Sequence, residues 1–288
     1  MIIVTGATGL LGRDVVQRLL SRIPASEVGV AVRDPERVAD LRERGVRVRR
    51  GDFDDPSSLA HAFAGADQVL LVSAPRIGEP AIRAHRAAID AAVAAGVGRV
   101  LYTSHMAASP TSFFAPMPDH AATEQYLQES GVRFTALRNG FYAATVPRLL
   151  GAAAETGELV APEDGPVSWT AHADLAEAAA IALTDSVLDA LTPGLTAGEA
   201  IDLAGAAAIV SELAGRPIRR VVVSDDRYRE RLVGHGAPPE QADMLIGMFR
   251  AARAGEFAAV DPTLERLLGR RPTALRDVLR EAVAAPVR

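Results

Sequence analysis

The sequence contains neither cysteine nor lysine. Without cysteine there is no disulfide, no thiolate catalysis and no zinc–sulfur site, and no metal centre is expected. Without lysine, all 31 basic side chains are arginine, so no chemistry can rest on a titrating ammonium group. No run of 18 apolar residues occurs, and no basic segment leads into an apolar stretch at the N-terminus. The expectation is a soluble, cytoplasmic chain with no membrane partner. Positive charge is also scarce in net terms: the balance is −5, which argues against a nucleic-acid partner. The small clusters Arg47/Arg49/Arg50 and Arg270/Arg271 read as solvated surface. What the chain has in quantity is apolar mass. With 288 residues, 49% of them hydrophobic, it can bury a large core as one big domain or one and a half.

The most informative stretch is Ile2 to Gly12, Ile-Ile-Val-Thr-Gly-Ala-Thr-Gly-Leu-Leu-Gly. A β-branched strand runs into glycines at 6, 9 and 12, and a helical apolar pattern (Leu10, Leu11, Val15, Val16, Leu19, Leu20) begins at once. A dinucleotide needs this arrangement. Gly6 permits the tight turn, Gly9 lets backbone N–H groups reach a pyrophosphate, and Gly12 allows close helix–strand packing. Ala7, Thr8, Leu10 and Leu11 complete the cradle, where the helix N-terminus offers free N–H groups and a positive dipole end.

Strand and helix patterns then alternate for about 140 residues. Strands are expected at Val28–Val32, Val46–Arg50, Gln68–Val72, Val100–Thr103 and Val132–Leu137. Helices are expected at Pro35–Arg44, from Asp54-Asp55-Pro56 onward, at Glu79–Ala95 and at Asp119–Glu129. This is the rhythm of a doubly wound parallel sheet, an α/β Rossmann fold. After Tyr142 it changes. Short strands (Leu159–Ala161, Ala200–Leu203, Arg219–Val223) mix with helices near Asp174–Leu183, Ala206–Leu213, Tyr228–Val233 and Glu240–Arg253. The expected organisation is a Rossmann core over 1–150 and a smaller irregular α/β C-terminal lobe over 151–288, with 168–183 packing back on the core. The lobe would cover the carboxyl ends of the strands, where ligands bind in open α/β sheets.

Taken together, Thr5–Gly12, Val32-Arg33-Asp34-Pro35, Gly51-Asp52, Tyr102-Thr103-Ser104 and Leu137-Arg138-Asn139-Gly140-Phe141-Tyr142 resemble an atypical short-chain dehydrogenase/reductase. The group is the NmrA-like one and, within it, the type-2 NADPH:quinone oxidoreductases. The likeness runs almost to the end of the chain, through Leu267–Thr273. It implies a nicotinamide cofactor and says less about substrate.

Arg33 lies 21 residues past Gly12, at the end of the second strand, where the adenosine ribose should sit. An acidic residue there would favour NADH, whereas Arg accommodates a 2′-phosphate. NADPH is therefore the expected cofactor, with NADH as the alternative because Asp34 follows directly. The resemblance gives Asp52, with Phe53 beside it, a contact to the adenine; its rival role is turn chemistry. The loop Ser73-Ala74-Pro75 should pass beside the ribose next to the nicotinamide. By resemblance, Asn139-Gly140-Phe141 supplies backbone contacts to the nicotinamide half.

The catalytic reading is thinner. Typical members of the superfamily use Ser, Tyr and a Lys four residues after the Tyr. Here Ser104 can stand at the first position, His120 falls at the second and Glu124 at the third. A relay through lysine cannot operate, which excludes ordinary alcohol dehydrogenation. Quinone reduction asks less, because hydride addition yields a delocalised anion that water or a histidine can protonate. Ser104 and His120 are the catalytic candidates; the alternatives are a hydrogen-bonded strand end and a His paired with Glu124 one turn on.

The segment His105–Pro118 carries three prolines, Met106, Met117, Phe113 and Phe114. It is expected to be a lid that clasps a flat ring together with Tyr142 and Trp169. Its alternative is an inter-lobe plug or the seam of a homodimer. The reading that follows is an NAD(P)H-dependent oxidoreductase that reduces quinones or quinone-like aromatic carbonyls by hydride transfer. Two alternatives stand beside it: a tailoring reductase or monooxygenase on polycyclic aromatic metabolites, and a non-catalytic, NmrA-like redox-sensing regulator.

Overall fold

β-Branched and leucine-rich segments of four to seven residues form most of one parallel sheet in this computed structural model, which describes residues 1–151, 153–185, 187–188 and 190–284. Of the lobe expected over 151–288, residues 152, 186, 189 and 285–288 lie outside the described set. The first half alternates β1 (Ile2–Thr5), α1 (Leu10–Leu20), β2 (Val28–Val32), α2 (Ala39–Glu43), β3 (Arg47–Arg50), α3 (Pro56–Phe63), β4 (Gln68–Leu71), α4 (Glu79–Ala94), β5 (Arg99–His105), α5 (Pro116–Glu129) and β6 (Phe134–Asn139). There follow β7 (Phe141–Tyr142), α6 (Val146–Leu150), α7 (Ala153–Thr156), β8 (Glu158–Pro162), β9 (Trp169–Thr170), α8 (His172–Thr184) and β10 (Ala190–Leu191). The chain ends in α9 (Leu203–Ala214), β11 (Arg219–Val223), α10 (Asp225–Gly234), α11 (Pro239–Arg253), α12 (Thr263–Leu268) and α13 (Leu275–Ala284).

The sheet order is β10-β6-β5-β4-β1-β2-β3, and every pairing in it is parallel. The chain winds outward in one direction from β1 through β2 and in the other from β4, so β1 and β4 flank the switch point, where a crevice opens beyond the strand ends. Both faces are covered, which is why β1 and β2 are buried at every residue. On one face Val15, Val16 and Leu19 of α1 meet Leu175, Ala176 and Ala179 of α8. The alanines of α8 let the two helices approach closely. Arg18 pairs with Glu177, and Arg270 with Asp174 and Glu177, across the outer edge of this layer. Asp174 is buried and also accepts a bond from the Thr273 amide. On the other face Leu59, Phe63, Ile89, Tyr102 and Leu127 form a second cluster. A third, centred on Phe141, Trp169, Phe249 and Phe257, fills the C-terminal region, where β8 pairs with β11 and β7 with β9.

Three segments differ from expectation. Residues 200–203 are not a strand: Ile201 makes one isolated bridge to Val167, and the Asp202 carboxylate caps the Gly205 amide, so α9 begins at Leu203. The helix expected over 35–44 splits into a 3₁₀ turn, Pro35–Val38, capped by Asp34, and the short α2. The segment expected as a lid, 105–118, is shorter. His105 still belongs to β5, and α5 begins at Pro116, because proline is well suited to a first helical turn that needs no N–H partner. No helix among the described residues is long and apolar enough to cross a membrane.

Candidate active site

The turn after β1 is built around its glycines. Gly6 takes φ +65°, a backbone state that L side chains rarely adopt, and its carbonyl accepts the Gly9 amide at 2.9 Å. A Cβ on Gly12 would lie inside van der Waals distance of that same carbonyl. α1 therefore starts close against the turn, and its N-cap, Gly9, gives the first helical amides no side-chain partner. Thr5 ties the turn to the neighbouring strand: its hydroxyl donates to the Leu70 carbonyl and accepts from the Val72 amide.

A cleft of about 710 Å³ opens there. Of the residues expected at a cofactor, it is lined by Gly6, Thr8, Gly9, Leu10, Leu11, Gly12, Arg33, Asp52, Phe53, Ser73, Ala74 and Pro75. Leu10, 72% exposed, lies at its mouth. Ala7 is instead buried beneath the turn, and Asn139, Gly140 and Phe141 lie off the cleft wall. Asn139 is buried, with its side-chain oxygen unpartnered among the described residues. The Gly140 amide donates to the Leu195 carbonyl, and a side chain there would strike Thr170 of β9. Tyr142, expected at the substrate, lies on the cleft wall.

At the adenine end Arg33 is exposed and makes no hydrogen bond among the described residues, because Asp34 caps the Glu36 amide rather than pairing with it. Asp52 accepts the Asp54 amide through one carboxylate oxygen, so it does serve its turn. Arg76 crosses to Asp54 in a two-pronged ion pair. Of the lining residues outside the expected site, two carry ionisable side chains, Arg76 and His172. The latter begins α8, with its ring 4.2 Å from that of Tyr142. Burial lowers its pKa. His172 carries no motif and only the tertiary fold brings it here, whereas Arg76 directly follows the expected loop Ser73-Ala74-Pro75.

Beneath the loop 73–76 lies a hydrogen-bonded group of rings. The Ser73 amide donates to Thr103 Oγ1 and the Ala74 amide to His85 Nε2 at 2.9 Å. His85 Nδ1 meets Thr123 Oγ1 at 2.9 Å, and Tyr102 Oη meets His120 Nδ1 at 2.8 Å. The His105 ring stands 6.3 Å from that of His120 and edge-on to Phe141 and Phe257. Burial pushes the pKa of His85 down to about 4 and those of His105 and His120 down to about 3. All three are neutral imidazoles near pH 7.

The alternative pairing expected for His120 is not found. Glu124, buried, holds Arg138 through both oxygens, at 2.9 and 2.6 Å, and accepts the Ser104 hydroxyl at 2.7 Å. Ser104 is thereby committed to an ion pair rather than presented to the cleft.

The expected aromatic clasp is also rearranged. Phe114 stacks on Phe141, with centroids 5.7 Å apart, and stands edge-on to Phe257. Phe113 turns outward at 59% exposure while its backbone is held by Glu256. Trp169 is buried in the C-terminal core, its indole N–H donating to the Ile201 carbonyl. Burying a Trp requires such a partner, and finding it removes the ring from any substrate surface.

The NAD(P)H-binding family profile matches residues 6–186. The chain is 34% identical over 278 residues to quinone oxidoreductase 2 of Escherichia coli, covering 96% of each sequence. Its fold matches the crystal structure of the NADPH-dependent quinone oxidoreductase of Escherichia coli complexed with NADPH, with TM-score 0.93 and 32% identity, over 98% of this chain and 100% of that one. The Citrobacter sp. triphenylmethane reductase complexed with NADP(H) matches with TM-score 0.91 and 33% identity, over 98% of this chain and 100% of that one.

Proposed function

Because the chain belongs to the NAD(P)H-binding, NmrA-like family of atypical short-chain dehydrogenase/reductases, we propose that it reduces quinones or quinone-like aromatic carbonyls with NADPH. The observation that carries the reading is the open cleft joining the uncapped start of α1 to an exposed Arg33 that makes no hydrogen bond among the described residues. The cleft fits a dinucleotide. Side chains are absent where Gly9 and Gly12 would need backbone approach, and the fixed positive ends of the cleft meet phosphate charge.

When bound, the reduced nicotinamide supplies a hydride. The chain's own residues do the rest. The first amides of α1 receive the pyrophosphate, and Arg33 receives the 2′-phosphate through a charge-assisted fork. Ser73-Ala74-Pro75 flanks the nearer ribose, while Tyr142 and His172 close the wall beside the ring. His120, which lies behind the lining of the cleft, would turn its neutral N–H toward the oxygen on which charge develops, and a flat substrate would stack beside Phe114, one face of which Phe141 already takes. Ser104 supports this wall through Glu124 rather than reacting.

Arg33→Ala is expected to weaken NADPH binding by about 1.5–3 kcal/mol, the range for hydrogen bonds to charged groups, and to leave NADH affinity nearly unchanged. Fluorescence titration with both cofactors checks this, and identical titration curves for the wild type would remove the 2′-phosphate contact from the account.

The activity itself is tested by following NADPH oxidation on addition of a bicyclic quinone. Phe114→Ala should raise KM several-fold, in line with a stacking contribution of about 0.5–1.5 kcal/mol, and Phe113→Ala should not. A wild type that consumes no NADPH with any quinone would defeat the reductase reading in favour of a dinucleotide sensor.

A further inference from the structure

Among the side chains of the ring group beneath the cleft for which the proposed reaction has no direct use are Tyr102 and His85. Their hydrogen bonds can be ordered from one end. A backbone amide only donates, so His85 Nε2, which receives the Ala74 N–H, carries no proton. The His85 proton is on Nδ1. The Thr123 hydroxyl spends its own hydrogen on the Asp119 carbonyl at 2.7 Å, so its oxygen accepts from His85. Tyr102 Oη lies 3.5 Å from the same protonated Nδ1, which cannot accept. The phenolic hydrogen therefore goes to His120 Nδ1 at 2.8 Å.

We propose that Tyr102, with His85 behind it, holds His120 as the neutral Nε2–H tautomer, so that His120 meets the substrate oxygen as a fixed hydrogen-bond donor. This rests on the reading of the cleft given above. Tyr102 and His85 are positioning residues, since they act on the substrate only through His120, which is partly exposed but itself lies behind the cleft lining.

The chain of bonds orients and does not conduct. It ends on an amide that does not give up its hydrogen, and burial keeps the Tyr102 phenol protonated by raising its pKa. The step balances without it. The quinone takes the hydride with its electron pair and becomes a hydroquinone monoanion. The Nε2–H bond stays intact while hydrogen-bonding the anionic oxygen, and water delivers the final proton. A neutral imidazole suits this role, because it polarises a carbonyl without itself titrating. The Ala74 amide also gives the arrangement a link to the dinucleotide: the loop that lines the cofactor cleft is the one that sets the first tautomer in the chain.

The test uses the full-length protein labelled with ¹⁵N-histidine, with His120 assigned by the resonances lost in His120→Asn. Long-range ¹H–¹⁵N correlation at pH 7, without substrate, should show His120 protonated at Nε2 and bare at Nδ1. In Tyr102→Phe the His120 signals should move toward a mixture of tautomers. The kcat for quinone reduction should then fall roughly tenfold, less than the hundredfold or more that follows deletion of an oxyanion donor, with KM for NADPH unchanged. Finding His120 protonated at Nδ1 in the wild type overturns the proposal even if Tyr102→Phe does not fold. An unaltered tautomer and unaltered kcat in a folded Tyr102→Phe overturn it as well. The spectrum needs no turnover, so a failure of the quinone reading shows separately, as absent NADPH oxidation beside an intact Nε2–H signature.

Discussion

Gly12→Ala is expected to abolish useful cofactor binding, with NADPH and NADH affinities both falling at least a hundredfold. The added Cβ would collide with the Gly6 carbonyl. This is backbone against backbone, so no side chain can swing aside. Either α1 moves away from the turn or the turn itself opens, and each route displaces the amides that face the pyrophosphate. A misplacement of about 1 Å at a binding centre is enough for a loss of that order. The overpacking should also lower stability by about 1–3 kcal/mol. The signature separates this change from Arg33→Ala, which discriminates between the two cofactors. Isothermal titration with each cofactor, alongside a thermal melt, reads both parts. An alanine variant that binds either cofactor normally would mean that the glycine is needed only for packing.

Acidification from pH 7 to 4.5 is expected to destabilise the protein by several kcal/mol, more steeply than exposed carboxylates alone would produce. The native state holds His85 near pKa 4 and His105 and His120 near 3, against 6.5 when exposed. Below pH 6.5 the unfolded chain takes up protons that the native state refuses. Stability is therefore fully present above pH 6.5 and is lost progressively as pH falls toward the native values. Each group contributes up to about 1.4 kcal/mol per pH unit in that window, or about 2.5 kcal/mol by pH 4.5. Asp119 and Asp164, whose pKa values burial raises, act in the opposite sense and reduce the total. Urea unfolding across the range measures the slope, and His105→Phe, which keeps a ring in the aromatic cluster, should flatten it by about one proton. A wild-type slope near zero between pH 6 and 4.5 would show that these imidazoles remain hydrated.

The part of the site that could be read from the sequence is the part made of backbone. The Gly6/Gly9/Gly12 turn serves its ligand through amides and close approach, and both are encoded by local order within one strand–turn–helix unit. Arg33 was also within reach, because the second strand's length sets its distance from the turn. Side chains that arrive from distant segments were not. His172 carries no local signal, unlike Arg76, which directly follows the expected loop Ser73-Ala74-Pro75, and whether Trp169 or Phe113 faces a substrate depends on which partner claims it. The Ile201 carbonyl claimed the indole, and the anchoring of the loop by Glu256 turned Phe113 outward. Glu124 looked like the partner of His120 at helical spacing, yet Arg138 on β6 outbids the weaker pairing by offering two parallel bonds. In the fold, the alternating half was legible through its two periods, and the lobe was less so. There, caps such as Asp202 decide whether four apolar residues extend or coil.

The layer in which α1 rests on α8 has a consequence for the order of events in synthesis. The helix that follows the first strand can pack on β1 and β2 early, but the side of its apolar stripe that meets α8 stays uncovered until residues 172–184 have been made, and the arginine that laces the layer's edge comes only at position 270. Contacts of such sequence separation form late, since loop closure must precede any gain from burial. The nascent N-terminal half therefore emerges with the α8-facing side of α1 open to water. Until α8 has been made, chaperone capture and aggregation compete for that surface.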